Sequence, residues 1–286
     1  MRNWVTFMAG SISSMLVVSA AMADPAPGGV PFELYRGYII VAEGEIGPLG
    51  GVHFLIDTGT MPSIVDKRIA HRLHLSPSGE AESVTVFGRM IKGQYVALPG
   101  LKLGPLQVES VPVLVRDLSF IEKELGARID AVLGLDVLGS RPLSIDFADR
   151  RIRFAPESSA PPSPATHAQL RCLVVNAEIE GRPLRLLVDT GAKDLILFKK
   201  DTRGHLPKLR VMGEESIPSL GEKGRMQQVT LPPLRLGDTE FAHLRTFLVE
   251  APATEASNFD GLLGVASLGA RILSFDFERN KVTWER

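Results

Sequence analysis

The chain has 286 residues, 44% of them hydrophobic and 23% charged, so it is an ordinary globular composition with room for one large or two smaller domains. Lys and Arg total 32 against 33 Asp and Glu, which leaves no cationic excess for a phosphate backbone and argues against nucleic acid as a partner. The single cysteine, Cys172, excludes an intramolecular disulfide and a thiolate cluster for zinc or iron–sulfur.

The N-terminus carries Arg2, a mostly apolar or small stretch from Trp4 to Ala20, and the small-x-small pattern Ala21-Met22-Ala23. Residues 1–23 are therefore expected to be a secretory signal peptide, and the mature protein to be exported to a bacterial periplasm or the extracellular space. A retained membrane tether is the alternative, but Gly10 and four serines dilute the stretch. No cysteine follows the cleavage pattern to carry a lipid anchor.

Tyr38 to Glu45 has the alternation of a half-buried strand, and Gly47, Gly50 and Gly51 supply a turn. Phe54-Leu55-Ile56 is a short buried strand that stops at Asp57. Ser63 to Leu75 has helical spacing, with Ile64, Ile69 and Leu73 on one face. Val84 to Leu98 predicts a hairpin with turns at Phe87-Gly88 and Lys92-Gly93, and Ser119 to Gly126 a second short helix ended by its glycine. Leu143 to Phe154 predicts strand, turn, strand. Ala155 to Ala165, rich in Pro, Ser and Ala, has the composition of an extended linker. Strand patterns resume at Cys172 to Ile179 and at Leu186-Leu187-Val188, which stops at Asp189. A hairpin from Ile217 to Leu231, with Leu220-Gly221 at its tip, and a strand pair from Leu273 to Trp284 complete the chain. The expected class is all-β with little helix.

The same landmarks occur twice. Asp57-Thr58-Gly59 recurs as Asp189-Thr190-Gly191, 132 residues later. Leu101-Lys102-Leu103-Gly104 recurs as Leu234-Arg235-Leu236-Gly237 at an offset of 133, and Asp130-Ala131-Val132-Leu133-Gly134 as Asp260-Gly261-Leu262-Leu263-Gly264 at 130. Leu143-Ser144-Ile145-Asp146-Phe147 recurs as Leu273-Ser274-Phe275-Asp276-Phe277, again at 130. Four landmarks in one order at near-constant spacing indicate an internal duplication. The expected organisation is a first lobe at 29–154, a linker at 155–167 and a second lobe at 168–286.

An acid at the end of a buried strand is costly to desolvate unless hydrogen bonds serve it. The glycine two residues on permits a tight turn and lets main-chain N–H groups face the carboxylate, and the threonine can brace the loop against its twin. Two such loops related by the duplication would place Asp57 and Asp189 across a pseudo-twofold axis. Carboxylates so close share one proton: one can activate a water and the other polarise a carbonyl.

On these motifs the sequence resembles the pepsin/retropepsin superfamily of aspartic proteases, and within it the bacterial retropepsin-like aspartyl proteases in a fused two-copy form. The resemblance rests on hydrophobic-hydrophobic-Asp-Thr-Gly in both copies and on the second motif, Val132-Leu133-Gly134 and Leu262-Leu263-Gly264. It implies a bilobal fold of two retropepsin-like β-barrel lobes, each with a psi-loop at the second motif and a flap hairpin over the cleft. It implies Asp57 and Asp189 as the catalytic pair, Thr58, Gly59, Thr190 and Gly191 as support, and Phe87, Gly88, Leu220 and Gly221 at the flap tips against substrate. The expected activity is peptide-bond hydrolysis on an extended peptide, without metal or organic cofactor, with a single chain as catalytic unit. A non-catalytic peptide-binding module of the same fold is the alternative.

The remaining polar residues have plainer readings. Asp130 and Asp260 are expected to be loop residues before the psi strand, Asp136 a helix cap, and Asp146 and Asp276 to fix hairpin turns. His71 and His74 lack a third ligand for a metal. No Gly-x-Ser-x-Gly is present, and Cys172 falls in a strand pattern, so serine and cysteine nucleophiles are not expected.

Overall fold

The computed structural model describes residues 29–84, 86–87, 90–156, 173–199, 206, 209–219, 222–250 and 259–286. Residues 1–23, Cys172, most of the linker, and Gly88, Leu220 and Gly221 of the expected flap tips lie outside the described residues. Among the described residues the structure is mostly β, 55% strand against 10% helix, arranged in two sheets.

Each repeat is built around one hairpin. In the first, Ile39–Ile46 pairs antiparallel with Leu49–Ile56 around Gly47, whose φ of 52° suits a residue without a Cβ. Both faces of this hairpin are buried. Ile40, Ala42, Phe54 and Ile56 enter the main core, while Ile39, Val41 and Leu55 enter a second cluster with Ile64 and Leu114. Burial on both faces is why the strand sequence is a continuous apolar run. The second repeat builds the same hairpin from Val174–Ile179 and Arg182–Asp189.

The second motif then threads between strands already laid down. Ala131–Leu133 runs parallel to Phe54–Ile56 and antiparallel to Ile64–Asp66. Gly261–Gly264 lies likewise between Arg182–Asp189 and Leu195–Phe198. This is the expected psi arrangement, present twice. The recurrent acids fix its entry. Asp130 accepts from the His53 N–H at 3.0 Å and returns its own N–H to the His53 carbonyl at 2.9 Å. Asp260 makes the same exchange with Arg185, at 2.7 Å in each direction.

The closing strand pairs join the repeats. Leu143–Asp146 pairs with Ile272–Asp276, so the first sheet contains the last two strands of the second repeat. The main core is accordingly continuous, with Ile145 and Phe154 in one cluster with Leu273, Phe275 and Trp284. Asp146 and Asp276 fix their turns by accepting from the backbone N–H groups of Ala148, Asp149 and Arg279.

The two-lobed all-β class is as expected, and among the described residues the first strand order runs from Lys281–Glu285 at one edge to Pro77–Val84 at the other. Three details differ from the sequence reading. The segment from Ser63 begins as a strand, Ile64–Asp66, and only Lys67–Arg72 is helical. Its β-branched Ile64 and Val65 are sandwiched between the psi strand and Val111–Arg116, and Asp66 caps the helix from the strand end. Lys92-Gly93 is no turn but a paired part of Met90–Leu98, whose partner arm is Pro77–Val84. Asp136 lies inside the short helix Leu135–Leu138, whose N-cap is Gly134; its carboxylate accepts instead from the N–H and hydroxyl of Ser63, at 2.9 and 2.6 Å.

Asp66 joins three of these parts. It is fully buried, and it accepts from the Arg68 N–H at 2.8 Å, Arg68 Nε at 2.6 Å and the Leu118 N–H at 2.8 Å. Replacing Asp66 by Ala removes a helix cap and strands a buried N–H, so a loss of about 2–4 kcal/mol is expected in urea denaturation. A change below about 0.5 kcal/mol would show that these bonds carry no stability.

Candidate active site

The strands Leu49–Ile56 and Arg182–Asp189 deliver their Asp-Thr-Gly loops to one place. Thr58 and Thr190 are fully buried and bound to each other's loops. The Thr58 hydroxyl donates to the Val188 carbonyl at 2.8 Å and accepts from the Thr190 N–H at 3.1 Å. The Thr190 hydroxyl donates to the Ile56 carbonyl at 2.9 Å and accepts from the Thr58 N–H at 2.9 Å. Each hydroxyl thus satisfies one donor and one acceptor of the opposite strand end, where no water is available to do so.

This lock fixes Asp57 and Asp189 face to face on a cavity floor, 9% and 7% exposed. A Cβ placed on Gly59 would come 2.4 Å from Cγ of Asp189, and one on Gly191 would come 2.6 Å from Cγ of Asp57. Both glycines are thus required by the approach of the opposite carboxyl, and neither has a positive φ. Each carboxyl group packs on the glycine of the opposite loop, close enough for the charge of Asp57 to act on Asp189. The Gly59 N–H serves Asp57 Oδ1 at 2.8 Å, and the Gly191 N–H serves Asp189 Oδ1 at 2.7 Å. Beyond this the symmetry breaks: the Thr60 hydroxyl donates to Asp57 Oδ2 at 2.7 Å, while its counterpart Ala192 has no hydroxyl. Burial, and after it the charge of Asp57, push the Asp189 carboxyl well above the usual carboxylate range against the pull of the Gly191 and Ala192 N–H groups.

The psi segments stand directly behind the loops. The Asp57 N–H donates to the Leu133 carbonyl at 3.0 Å, and the Leu135 N–H donates to the Thr60 carbonyl at 3.0 Å. A Cβ on Gly134 would come 2.3 Å from the Thr60 carbonyl oxygen, and one on Gly264 would come 2.5 Å from the Lys193 carbonyl carbon. Val132 and Leu133 are buried, as is Leu263, while Leu262 is half-buried on the cavity wall.

A cavity of about 480 Å³ opens over the two acids. One wall carries Tyr38, Ile39, Leu55, Ile64 and Ile121, and the other carries Ile196, Phe198, Met226, Phe247 and Phe259. Val86 and Phe87, at the tip of the first hairpin, pack on the second wall's apolar cluster. The Phe87 ring lies against Gly224 so closely that a Cβ there would come within 2.2 Å of it. Phe87 therefore reaches across the cleft to the hairpin of the other repeat. Tyr38 escaped the sequence reading, since only tertiary folding brings it to the cleft. Burial raises its phenol most, with Asp194 and Asp189 adding to the effect and Arg36 opposing it.

A family model described as aspartyl protease matches the chain twice, at residues 42–137 and 175–266. Each match contains one Asp-Thr-Gly loop and one psi strand. No curated protein matches the chain.

The raised Asp189 carboxyl has a consequence for stability. The folded state holds this proton more tightly than the unfolded chain does. Stability from this group is therefore present below the ordinary carboxylate range and is lost as pH rises through the folded value. In Asp189→Asn that loss disappears. Its Tm at pH ~7 should exceed that of the unsubstituted protein, by roughly 2–4 °C for each kcal/mol relieved. A lower Tm for the folded variant across neutral pH would contradict the like-charge reading.

Proposed function

We propose that this chain, which belongs to the aspartyl protease family, is an exported endopeptidase whose Asp57 and Asp189 hydrolyse peptide bonds through a water activated between them. The reading is best supported by the reciprocal bonding of Thr58 and Thr190, which brings two buried carboxyl groups together at the floor of one cavity.

The division of labour follows from the donors. Asp57 receives both a backbone N–H and the Thr60 hydroxyl, partners suited to a charged carboxylate. Asp189, whose affinity for protons is raised, carries the shared proton. Asp57 takes a proton from the water as its oxygen attacks the peptide carbonyl carbon, and Asp189 gives its proton to the carbonyl oxygen. The tetrahedral diol then collapses. A diol hydroxyl returns its proton to Asp189, Asp57 delivers the other to the leaving nitrogen, and the C–N bond breaks. Both loops belong to one chain, so the catalytic unit is a monomer. The peptide lies extended in the cleft, beneath the hairpin tip that carries Phe87. Export rests on the leader pattern of residues 1–23.

Asp57→Asn and Asp189→Asn should each lower peptide cleavage by at least ~10³-fold while remaining folded, with the double variant little worse, because the pair acts as a unit. Substantial turnover by either folded variant would refute the assignment.

The rate should be bell-shaped in pH with its optimum on the acid side of neutrality, since only the singly ionised pair is active. Thr60→Ala withdraws a donor from the Asp57 carboxylate, so kcat should fall by about 10-fold, and Thr60→Ser should restore it. An unchanged kcat in Thr60→Ala would separate Thr60 from the chemistry of the pair.

A further inference from the structure

The two walls of the cleft carry their charges at different positions: Arg36 and Glu124 line the first, and Lys193, Asp194, Glu215 and Arg245 line the second. Strand register fixes their correspondence: Ile64 pairs with Leu114 and Val132 as Ile196 pairs with Phe247 and Leu262. Two residues before Ile64 and Leu114 stand Pro62 and Pro112, and the same step back from Ile196 and Phe247 reaches Asp194 and Arg245. In the hairpins, Ala81 opposite Gly93 answers Glu215 opposite Met226. At these matched positions Asp194, Arg245 and Glu215 thus line the second wall, beside Lys193, where the first repeat has two prolines and an alanine.

These three are not equally served. Arg245 Nη2 donates to both Glu215 carboxylate oxygens, at 2.7 and 2.6 Å, and the guanidinium lies 4.9 Å from the centre of the Phe247 ring. Its other nitrogen reaches Asp194 Oδ2 at only 3.3 Å. That is the one side-chain hydrogen bond of Asp194 among the described residues, and Oδ1 has none. The Asp194 side chain is 16% exposed, so solvent serves it poorly. Burial pushes its carboxyl up and Glu215 adds to this, while Arg245 and the exposed Lys193 oppose it. A carboxylate removed from water with one long contact remains undercompensated until another donor reaches it. The same cavity is lined by Ile196, Phe198 and Phe247, apolar residues suited to the methylene stem of a long cation.

Resting on the proteolytic reading and deepening it, we propose that Asp194 determines specificity by receiving a lysine or arginine side chain of the bound peptide on the second-repeat wall. The cation's stem lies on the apolar residues and its head donates to Asp194. Arg245 is not free to recruit an acidic side chain, because Glu215 holds it. The complementary charge therefore sets a preference that an apolar cleft alone would not have.

The test compares matched peptides carrying lysine, norleucine or glutamine at the position that a one-position-at-a-time peptide library shows to be most selective. Rates are read as kcat/KM, and affinities with non-cleavable reduced-bond versions of the same peptides. Lysine should exceed both norleucine and glutamine by ~10-fold in each readout. In Asp194→Asn the lysine-to-norleucine ratio should fall to near one, and in Asp194→Glu it should stay above the Asn value. Glu215→Gln, at a half-exposed site, frees Arg245 to turn to Asp194, so the ratio should fall there too, which keeps the test open where Asp194→Asn does not fold. A ratio near one in the unsubstituted protein, a ratio that survives Asp194→Asn or Glu215→Gln, glutamine equal to lysine, or a preference for glutamate overturns the proposal. Failure of the unsubstituted protein to cleave any peptide strikes at the proteolytic reading alone. The reduced-bond affinities then decide this inference: a lysine preference that needs Asp194 upholds it, and none overturns it.

Discussion

Two threonine hydroxyls hold the site together. Thr58 and Thr190 are buried where the strands from each repeat end, and each spans the gap to the other's main chain. A valine of similar shape at either position would leave an N–H and a carbonyl of the opposite repeat unpaired, at about 1–3 kcal/mol for each group. The distances that matter for chemistry are set by this exchange. The carboxyl of one repeat rests on the glycine of the other, so a small rotation of either loop would either separate the acids or drive them into backbone. The psi strands behind the loops and the closing strands shared between repeats resist that rotation.

Such a lock works against charge. Two carboxyl groups under 10% exposed repel one another when both are ionised, and burial penalises each charge. The fold meets this tension locally, with backbone N–H groups aimed at each acid, and globally, with a continuous apolar core that joins the two repeats. The residual strain appears as the raised proton affinity of Asp189. In the proposed mechanism it is also the property that would let one acid be a base while its neighbour is a proton donor.

Much of this was legible in the sequence because it is local or repeated. The apolar runs ending at Asp57 and Asp189, the recurrent Val132-Leu133-Gly134 and Leu262-Leu263-Gly264, and the closing strand pairs each carry their signal within a few residues. The helix expected from Ser63 failed in its first turn because Ile64 fits the helical stripe with Ile69 and Leu73 and, beside Val65, a two-sided strand equally well, and only the neighbouring strands decide between them. Pro77–Val84 was invisible as a strand because its sequence, with a glycine at a register shift, has no apolar alternation; pairing with Met90–Leu98 makes it one. Tyr38 and Arg245 reach the cleft by tertiary packing alone. For Arg245 the nearest sequence signal is a broken repeat: a charge where the other copy has a proline.

That signal deserves weight of its own, since a duplicated cleft has an intrinsic ambiguity. A peptide has direction, whereas a twofold-symmetric cleft would accept it either way round. Each departure from symmetry removes part of that degeneracy. Thr60 against Ala192 distinguishes the acids. Phe87 seated on Gly224 distinguishes the hairpins, and the mirror-image contact is barred in sequence because the position matching Gly224 in the first repeat holds Ile91. Asp194 and Arg245 against Pro62 and Pro112 distinguish the walls. The residues that must agree, Asp57 with Asp189 and Thr58 with Thr190, are those that bond across the axis, where a change in one copy strands its partner. Those that differ lie one step out, where a change alters what the cleft accepts without opening the lock. Divergence at these positions falls among residues that line the cleft, where it bears on what the cleft accepts without disturbing the shared motif.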